Sequence, residues 1–461
     1  MATSSAPPVF NDNKDAVFRR LDPTKYSSLG DFIDKINAPD NRDQLVKTYG
    51  YQQISGGLSG FLSLTGAIRA SGTADKVQYW EETRLHSYAT ANPTATAAST
   101  ATTVTVKKAT GDASVLRLND VVLFGGEHRM IVTAITPTGE VAQTATADYV
   151  LQSLSGNIGA TTSTAAVNLP VVGNLFAQGS DQNAGYLESN VIERTNAYNI
   201  IKEVFKVTGS QATNIGWVNV GNGDYRWYVK GEMDTRARFL DKREMMLLLG
   251  ENITNTLTTT NIGGNPTAGE GYFAAIENRG IVQSGQIDDF SEMDVLIAEL
   301  DKQGAAPEYA MYVNTEQALA IDDMVASLNG AAGFTSTTTG IGAFGGRGSE
   351  LGFDSFKRGG YTFHKHSWKL LNDPTLLAGS DYVGAMIPLT TVVDPKTGTR
   401  AAALELNYKD TNGYSREMEH WMTGSILGVN NTNKDDLQFN YRSECALVTR
   451  AANQHILIKK P

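Results

Sequence analysis

Two histidines one residue apart, His364 and His366 in "FHKH", are the first residues whose types and spacing suggest chemistry. Side chains alternate along an extended chain, so both fall on one face of a strand and could reach the same metal ion. A zinc-type site needs three or four ligands, and no further His or Cys cluster lies nearby, so no metal is expected. Glu81 and Glu82, beside Trp80, invite a paired-carboxylate reading. Adjacent strand residues point to opposite faces, so one should be packed or ion-paired and the other solvated, which does not make an acid–base pair. The glycine-rich run "GIGAFGGRGSE" at 340–350 has no following Lys-Ser/Thr to reach phosphate and magnesium, and reads as a surface loop. Cys445 is the single cysteine; "YRSECALVTR" supplies no base beside it, and the expected role is a small buried hydrophobe. Asp pairs in "IDDF" and "IDDM" are explained by capping and solvation at helix ends. No nucleophile elbow, H-E-x-x-H or dinucleotide fingerprint is present. The expectation is therefore no catalytic residue, no metal, no cofactor and no enzyme activity.

The totals point the same way. The 461 residues are 41% hydrophobic and 19% charged, enough for sizeable cores and an ordinary solvated surface. A formal net charge of −10 argues against general affinity for phosphate backbones, which needs a basic surface. The opening "MATSSAPPVFNDNKDAVFRR" has no apolar core after a basic start, so no secretory signal is expected. No stretch approaches the roughly 18 apolar residues of a membrane span.

These residues must be positioned by elements the sequence also suggests. "SSLGDFIDKINA" favours a short helix, and "ISGGLSGFLSLTGAI" is a small-residue apolar segment. "KVQYWEETRLHSY" reads as a strand, followed by Ala/Thr-rich and hairpin-like runs to about residue 175 with a turn at Gly125-Gly126. "NAYNIIKEVFKVTGSQATNI" suits a long strand. "DYRWYVKGEMDTRARFLDKREMMLLLG" predicts one long helix from Asp224, its N-cap, to Gly250, with a partly apolar stripe through Tyr225, Tyr228, Glu232, Arg236, Leu240, Leu247 and Ile253. Next, "SEMDVLIAELDKQG" predicts a helix opened by the capping box Ser291-x-x-Asp294. Then "YAMYVN" predicts a strand, "TEQALAIDDMVASLNG" a helix, and "YTFHKHSW" and "YVGAMIPLTTVV" strands. The closing "LQFNYRSECALVTRAANQHILIK" is extended throughout. The fold class is α+β with discontinuous domains.

That order of elements resembles the major capsid proteins of tailed bacteriophages with the Hong Kong 97-like fold. The quoted arm, hairpin opening, return strand and long helix are similar to that family's N-terminal arm, E-loop and spine helix. "YAMYVNTEQALAIDDMVASLNG" is similar to its axial strand and helix, and "RSECALVTRAANQHILIK" to its closing strand. The resemblance implies an N-terminal arm at 1–60 and the start of the E-loop and peripheral domain at 61–89. An inserted all-β domain follows at 90–175, which the family pattern lacks. The return strand and peripheral domain with the spine helix take 176–285, the axial domain 286–400, and the C-terminal peripheral strands 401–461.

The function implied is assembly into the icosahedral capsid of a tailed bacteriophage around packaged double-stranded DNA, bound without sequence specificity. Partners implied are further copies in hexamers and pentamers, a separate scaffolding protein, a portal and a decoration protein. The location implied is the virion, with assembly in the host cytoplasm and no membrane. Trp80, Glu81, Glu82, Arg84, Phe344 and Arg347 are the expected inter-subunit contacts. An encapsulin-type nanocompartment shell and a β-rich surface adhesin are the alternatives.

Overall fold

A computed structural model describes residues 57–86, 88–93, 101–108, 116–136, 147–158, 165–181, 191–214, 227–253, 267–331, 355–389, 391–393 and 400–461. Strands and a few helices alternate in a mixed α+β chain. The described residues fall into two compact units: those within 202–241 and 420–441, and the remainder. The stretch "SSLGDFIDKINA", Asp224, and the loop holding Phe344 and Arg347 lie outside the described residues.

Most of strand Asn199–Thr208 lies in the first unit, as do Asp436–Tyr441 of its sheet neighbour Asp436–Thr449 and nearly all of Glu419–Gly424, which pairs with the latter. Phe205 meets Phe439 with ring centres 6.2 Å apart, and Phe239 of the long helix meets Tyr441 at 5.7 Å. The helix runs Trp227–Leu249 over 23 residues. Its buried row is Thr235, Phe239, Arg243 and Leu247, at four-residue spacing. The predicted stripe through Tyr228, Glu232, Arg236, Leu240 and Leu247 shares only Leu247 with this row. Arg236 is exposed, and Glu232 is occupied by a hydrogen bond from the Tyr441 hydroxyl. Polar residues inside the buried row hid it from a hydrophobicity pattern.

Gly231, the interior glycine of that helix, has a packing reason. A Cβ there would lie 2.5 Å from Cζ of Phe205, so the ring occupies the space a side chain would need. Helical Gly→Ala normally gains about 0.5–1 kcal/mol, whereas overpacking costs about 1–3 kcal/mol. Gly231→Ala should therefore lower stability, and the same change in a Phe205→Ala background should become neutral or stabilising. Thermal melts of the four proteins test this, and equal effects in both backgrounds would count against it.

The second unit holds a six-stranded sheet in the order Ile281–Ser284, Ile456–Lys459, Tyr382–Pro388, Glu308–Val313, Tyr361–Ser367, Ser355–Arg358. Helices Phe290–Lys302 and Thr315–Ala331 contribute Met293, Leu296, Leu300, Ile321 and Met324 to its core, with Tyr309, Met311 and Phe363 from the strands. Buried Gln317 brackets Ile287, accepting from its N–H at 3.0 Å and donating to its carbonyl at 2.7 Å. The first helix opens at Phe290, not at Ser291. Asp289 caps it by accepting from Phe290 N, and Ser291 donates its hydroxyl to the same Asp289.

Two extended predictions are broken in the structure. "YVGAMIPLTTVV" splits after Pro388, whose ring nitrogen cannot continue a ladder; Thr391–Val393 pairs instead with Arg400–Ala402. The closing run splits at Ala451, which is left-handed at φ 49°, and a 3₁₀ turn at Ala452–Gln454. Asp436–Thr449 and Ile456–Lys459 thereby join different sheets.

Six strands close a barrel in the order Tyr88–Pro93, Thr103–Lys108, Asp148–Ser153, His128–Thr136, Asp120–Phe124, Val167–Asn174. The Ala/Thr repetition has a simple geometric meaning. Ala89, Ala91, Val104 and Val106 point into the barrel, while Thr90, Thr103 and Thr105 point outward. Small inward residues leave room for Tyr149, Met130 and Leu151. The Gly125-Gly126 turn, with φ of 63° and 80°, joins Asp120–Phe124 to His128–Thr136.

Candidate inter-subunit surface

Between the barrel and the body runs a two-stranded ribbon, Lys76–Glu82 antiparallel to Val191–Ala197. Alternation gives it two unlike faces. On one face Tyr79 is buried and donates its hydroxyl to the Thr449 carbonyl at 3.0 Å, with burial holding its pKa above the ordinary tyrosine value. Glu81, on the same face, accepts from Ala451 N at 2.8 Å and from Arg194 Nε at 3.3 Å. Asn196 donates to the carbonyls of Leu447 at 2.6 Å and Glu270 at 2.9 Å, and accepts from Glu270 N at 2.7 Å. Asn199 accepts from Gly269 N at 2.7 Å. Beyond the ribbon, Arg84 donates to the Lys302 carbonyl at the end of helix Phe290–Lys302, a favourable place for a cation. Gln303, the next residue, accepts from Asn453 at 3.1 Å.

The other face carries exposed side chains. Trp80 is 63% exposed, directly across from Glu193, and Val191 is 56% exposed across from exposed Glu82. Leu85, just past the ribbon, is 82% exposed. A lone exposed leucine needs no explanation, but a tryptophan and a valine on one face of a ribbon whose other face is fully engaged do.

Among the expected contact residues, the ribbon therefore brings together Trp80, Glu81 and Glu82, with Arg84 just beyond. Trp80 and Glu82 face outward, while Glu81 and Arg84 are bonded to their own chain. Glu81 is the carboxylate of the two that faces inward. Asn196 and Tyr79, which seat the ribbon, were not singled out from sequence; a strand alternating polar and aromatic residues gives no sign of which face is buried.

The chemistry-bearing residues are dispersed. His364 contacts Glu308 at 3.0 Å, and His366 stacks on Tyr312 with ring centres 5.2 Å apart. Among the described residues no group of three or more His, Cys, Asp or Glu is arranged to hold a metal ion. Cys445 is fully buried beside Ser443. Among the described residues no helix is long and apolar enough to cross a membrane.

No protein-family model matches the chain, and no curated protein does. Solved structures similar to it include the capsid of cyanophage P-SCSP1u, at 7% identity and a TM-score of 0.42, covering 93% of this chain and 94% of that one. A structure from Mycobacterium phage Ogopogo has 8% identity and a TM-score of 0.41, covering 93% and 98%. The capsid of a native GTA particle has 10% identity and a TM-score of 0.38, covering 92% and 96%.

Proposed function

We propose that this chain is a shell-forming structural protein, the subunit of a tailed-bacteriophage capsid of Hong Kong 97-like fold. Many copies assemble as hexamers and pentamers and enclose packaged double-stranded DNA. The observation that carries this reading is the two-faced ribbon: its inner face is locked to the body by buried hydrogen bonds, while its outer face presents Trp80 and Val191 to whatever adjoins it. The outer face of such a ribbon is left for a neighbour to cover, and repeated head-to-tail contacts between copies build closed rings and shells. The order of elements, from arm through ribbon and long helix to a sheet with paired helices, supports the same reading. The net charge of −10 suits a container whose contents must not adhere. In the same proposal, Phe344 and Arg347, outside the described residues, are kept as inter-subunit contacts, and a separate scaffolding protein, a portal and a decoration protein complete the virion.

Electron microscopy of the purified protein, alone and with a co-expressed scaffold, is the test. Shells, tubes or capsomer rings are expected. A monomer that never assembles would overturn the reading, and shells holding enzyme cargo in place of DNA would move it to a nanocompartment.

A further inference from the structure

We propose that the end of the six-stranded barrel where the chain enters and leaves is a self-complementary docking face, covered by the same face of a second copy across a two-fold axis. The contact needs two copies and holds whether or not the chain builds a shell. Strand register brings its parts together. Tyr88 lies directly across from Pro170, and Val172 is two residues further along the same strand. That strand shifts register against Asp120–Phe124, where Val121 faces Gly173 and Val122 faces Val171. Val172 is the extra residue of this bulge, and a bulge re-aims a side chain. Leu175 N donates to the Asn119 carbonyl at 3.0 Å, which sets Leu175 and Phe176 beside Leu118. Pro170 is exposed, and the other five are 41% to 63% exposed. Ala89, Ala91 and Leu169, the inward residues of the same strands, are fully buried, so the patch lies outside a finished core.

Size and charge identify the occupant. At about half exposure, six side chains of this kind leave roughly 500 Å² open, a patch of the size that marks an interaction site. Two such faces together bury roughly 1,000 Å², the lower limit for a specific contact between proteins. Residues 87–106 and 149–180 hold no Asp, Glu, Lys or Arg, in a chain that is 19% charged. Arg117 and Asp120, beside Leu118, are engaged with each other: Arg117 N donates to Asp120 at 2.8 Å, and its Nε lies 3.7 Å from the same carboxylate. A charged ligand or peptide would lose its hydration on this face with nothing in return. The same face of a second copy is equally uncharged and equal in size. A closed barrel has no free strand edge, so the contact is side chain on side chain. An axis through Val172 sets Tyr88 and Pro170 of one copy against Leu175 and Phe176 of the other, an isologous contact.

The test uses the full chain at concentrations below those that give shells. Val172→Cys should form a disulfide-linked dimer on mild oxidation, because the residue meets its own copy at the axis, while the native Cys445 is buried. Gln152→Cys, exposed on the strand across the barrel, should remain monomeric. In sedimentation equilibrium, Val172→Asp should raise the dimer dissociation constant at least about tenfold, since each carboxylate is buried against apolar groups. Its thermal melt should match that of the unmodified chain, as the residue lies outside the core. Equal cross-linking at positions 172 and 152, or dimers untouched by Val172→Asp, would overturn the contact. So would a Val172→Cys thiol shielded from reagent only when a different virion protein is added, which would assign the face to that protein. Shells from a chain that fails these tests would leave the shell reading intact, whereas dimers without shells under any condition would overturn the shell reading alone.

Discussion

Acidifying from pH 7 to pH 4.5 should remove about 2–3 kcal/mol of the second unit's stability through one side chain, His455. The imidazole is fully buried, and its Nδ1 lies 2.8 Å from the Tyr272 hydroxyl. Burial pushes its pKa down to about 3; the Arg450 backbone carbonyl opposes that shift, and the nearby Arg279 guanidinium adds to it. The unfolded chain binds the proton near pH 6.5, while the folded chain refuses it until about pH 3. Below pH 6.5 the unfolded state therefore holds more protons, and stability falls with pH until the folded pKa is reached.

Carboxylates held low by cations lose their contribution only further down. Asp75 beside Lys409, Asp294 beside Arg358 and Asp436 beside Lys206 all belong to this group. Asp120, raised by burial inside the barrel, works in the opposite sense. His455→Gln keeps a neutral polar partner for Tyr272 and removes the titration. Urea unfolding at pH 7 and pH 4.5 should show the wild-type protein losing about 2–3 kcal/mol more than the variant. Equal losses in the two proteins would mean that His455 is protonated, or reached by water, in the folded state.

The elements with a strong local signal were legible in the sequence. The long helix, the Gly125-Gly126 hairpin and the strand–helix pair around Tyr309 and Ile321 all fall where periodicity and turn chemistry put them. What was lost depended on distant partners. The buried row of the long helix includes Thr235 and Arg243, which look like surface residues until Ser443 accepts a hydrogen bond from Arg243 Nε at 3.1 Å. The break at Ala451 has no glycine or proline to announce it; a left-handed alanine there is held by Glu81 accepting from its N–H. The two faces of the ribbon were equally opaque, because which face is buried is decided by Thr449, Ala451 and Glu270, far away in sequence. The Ala/Thr repetition looked like low complexity, yet where it is described, at 88–93 and 103–108, its alternation is the in–out pattern of a closed barrel.

The second large effect should come from Glu244. Replacing it with Ala is expected to cost about 3 kcal/mol, because it orphans a buried backbone donor. Its carboxylate is 1% exposed and accepts from Leu58 N at 2.9 Å and from the Ser59 hydroxyl at 3.0 Å. It thus satisfies donors in the first turn of helix Leu58–Leu64, whose own sequence offers no side-chain cap. The chain has little freedom at this point. A Cβ on Gly57 would lie 2.4 Å from Trp368 Nε1 and 2.9 Å from Glu244 Oε1, so the backbone passes directly over both. Leu58 and Leu62 are buried beyond it, and Phe61 meets Tyr312 edge-on at 5.9 Å. The helix is only 7 residues long, too short to persist without these partners. Glu244→Gln retains an oxygen acceptor and loses only the charge, so it should cost less than half as much as Glu244→Ala. Ser59→Ala should cost about 1 kcal/mol, a single neutral partner. Chemical denaturation orders the three variants, and hydrogen exchange over 58–64 localises the effect. A Glu244→Ala protein within 1 kcal/mol of wild type would show that the helix is held by apolar packing alone. If the ordering holds, one carboxylate on the long helix fixes the position of helix Leu58–Leu64.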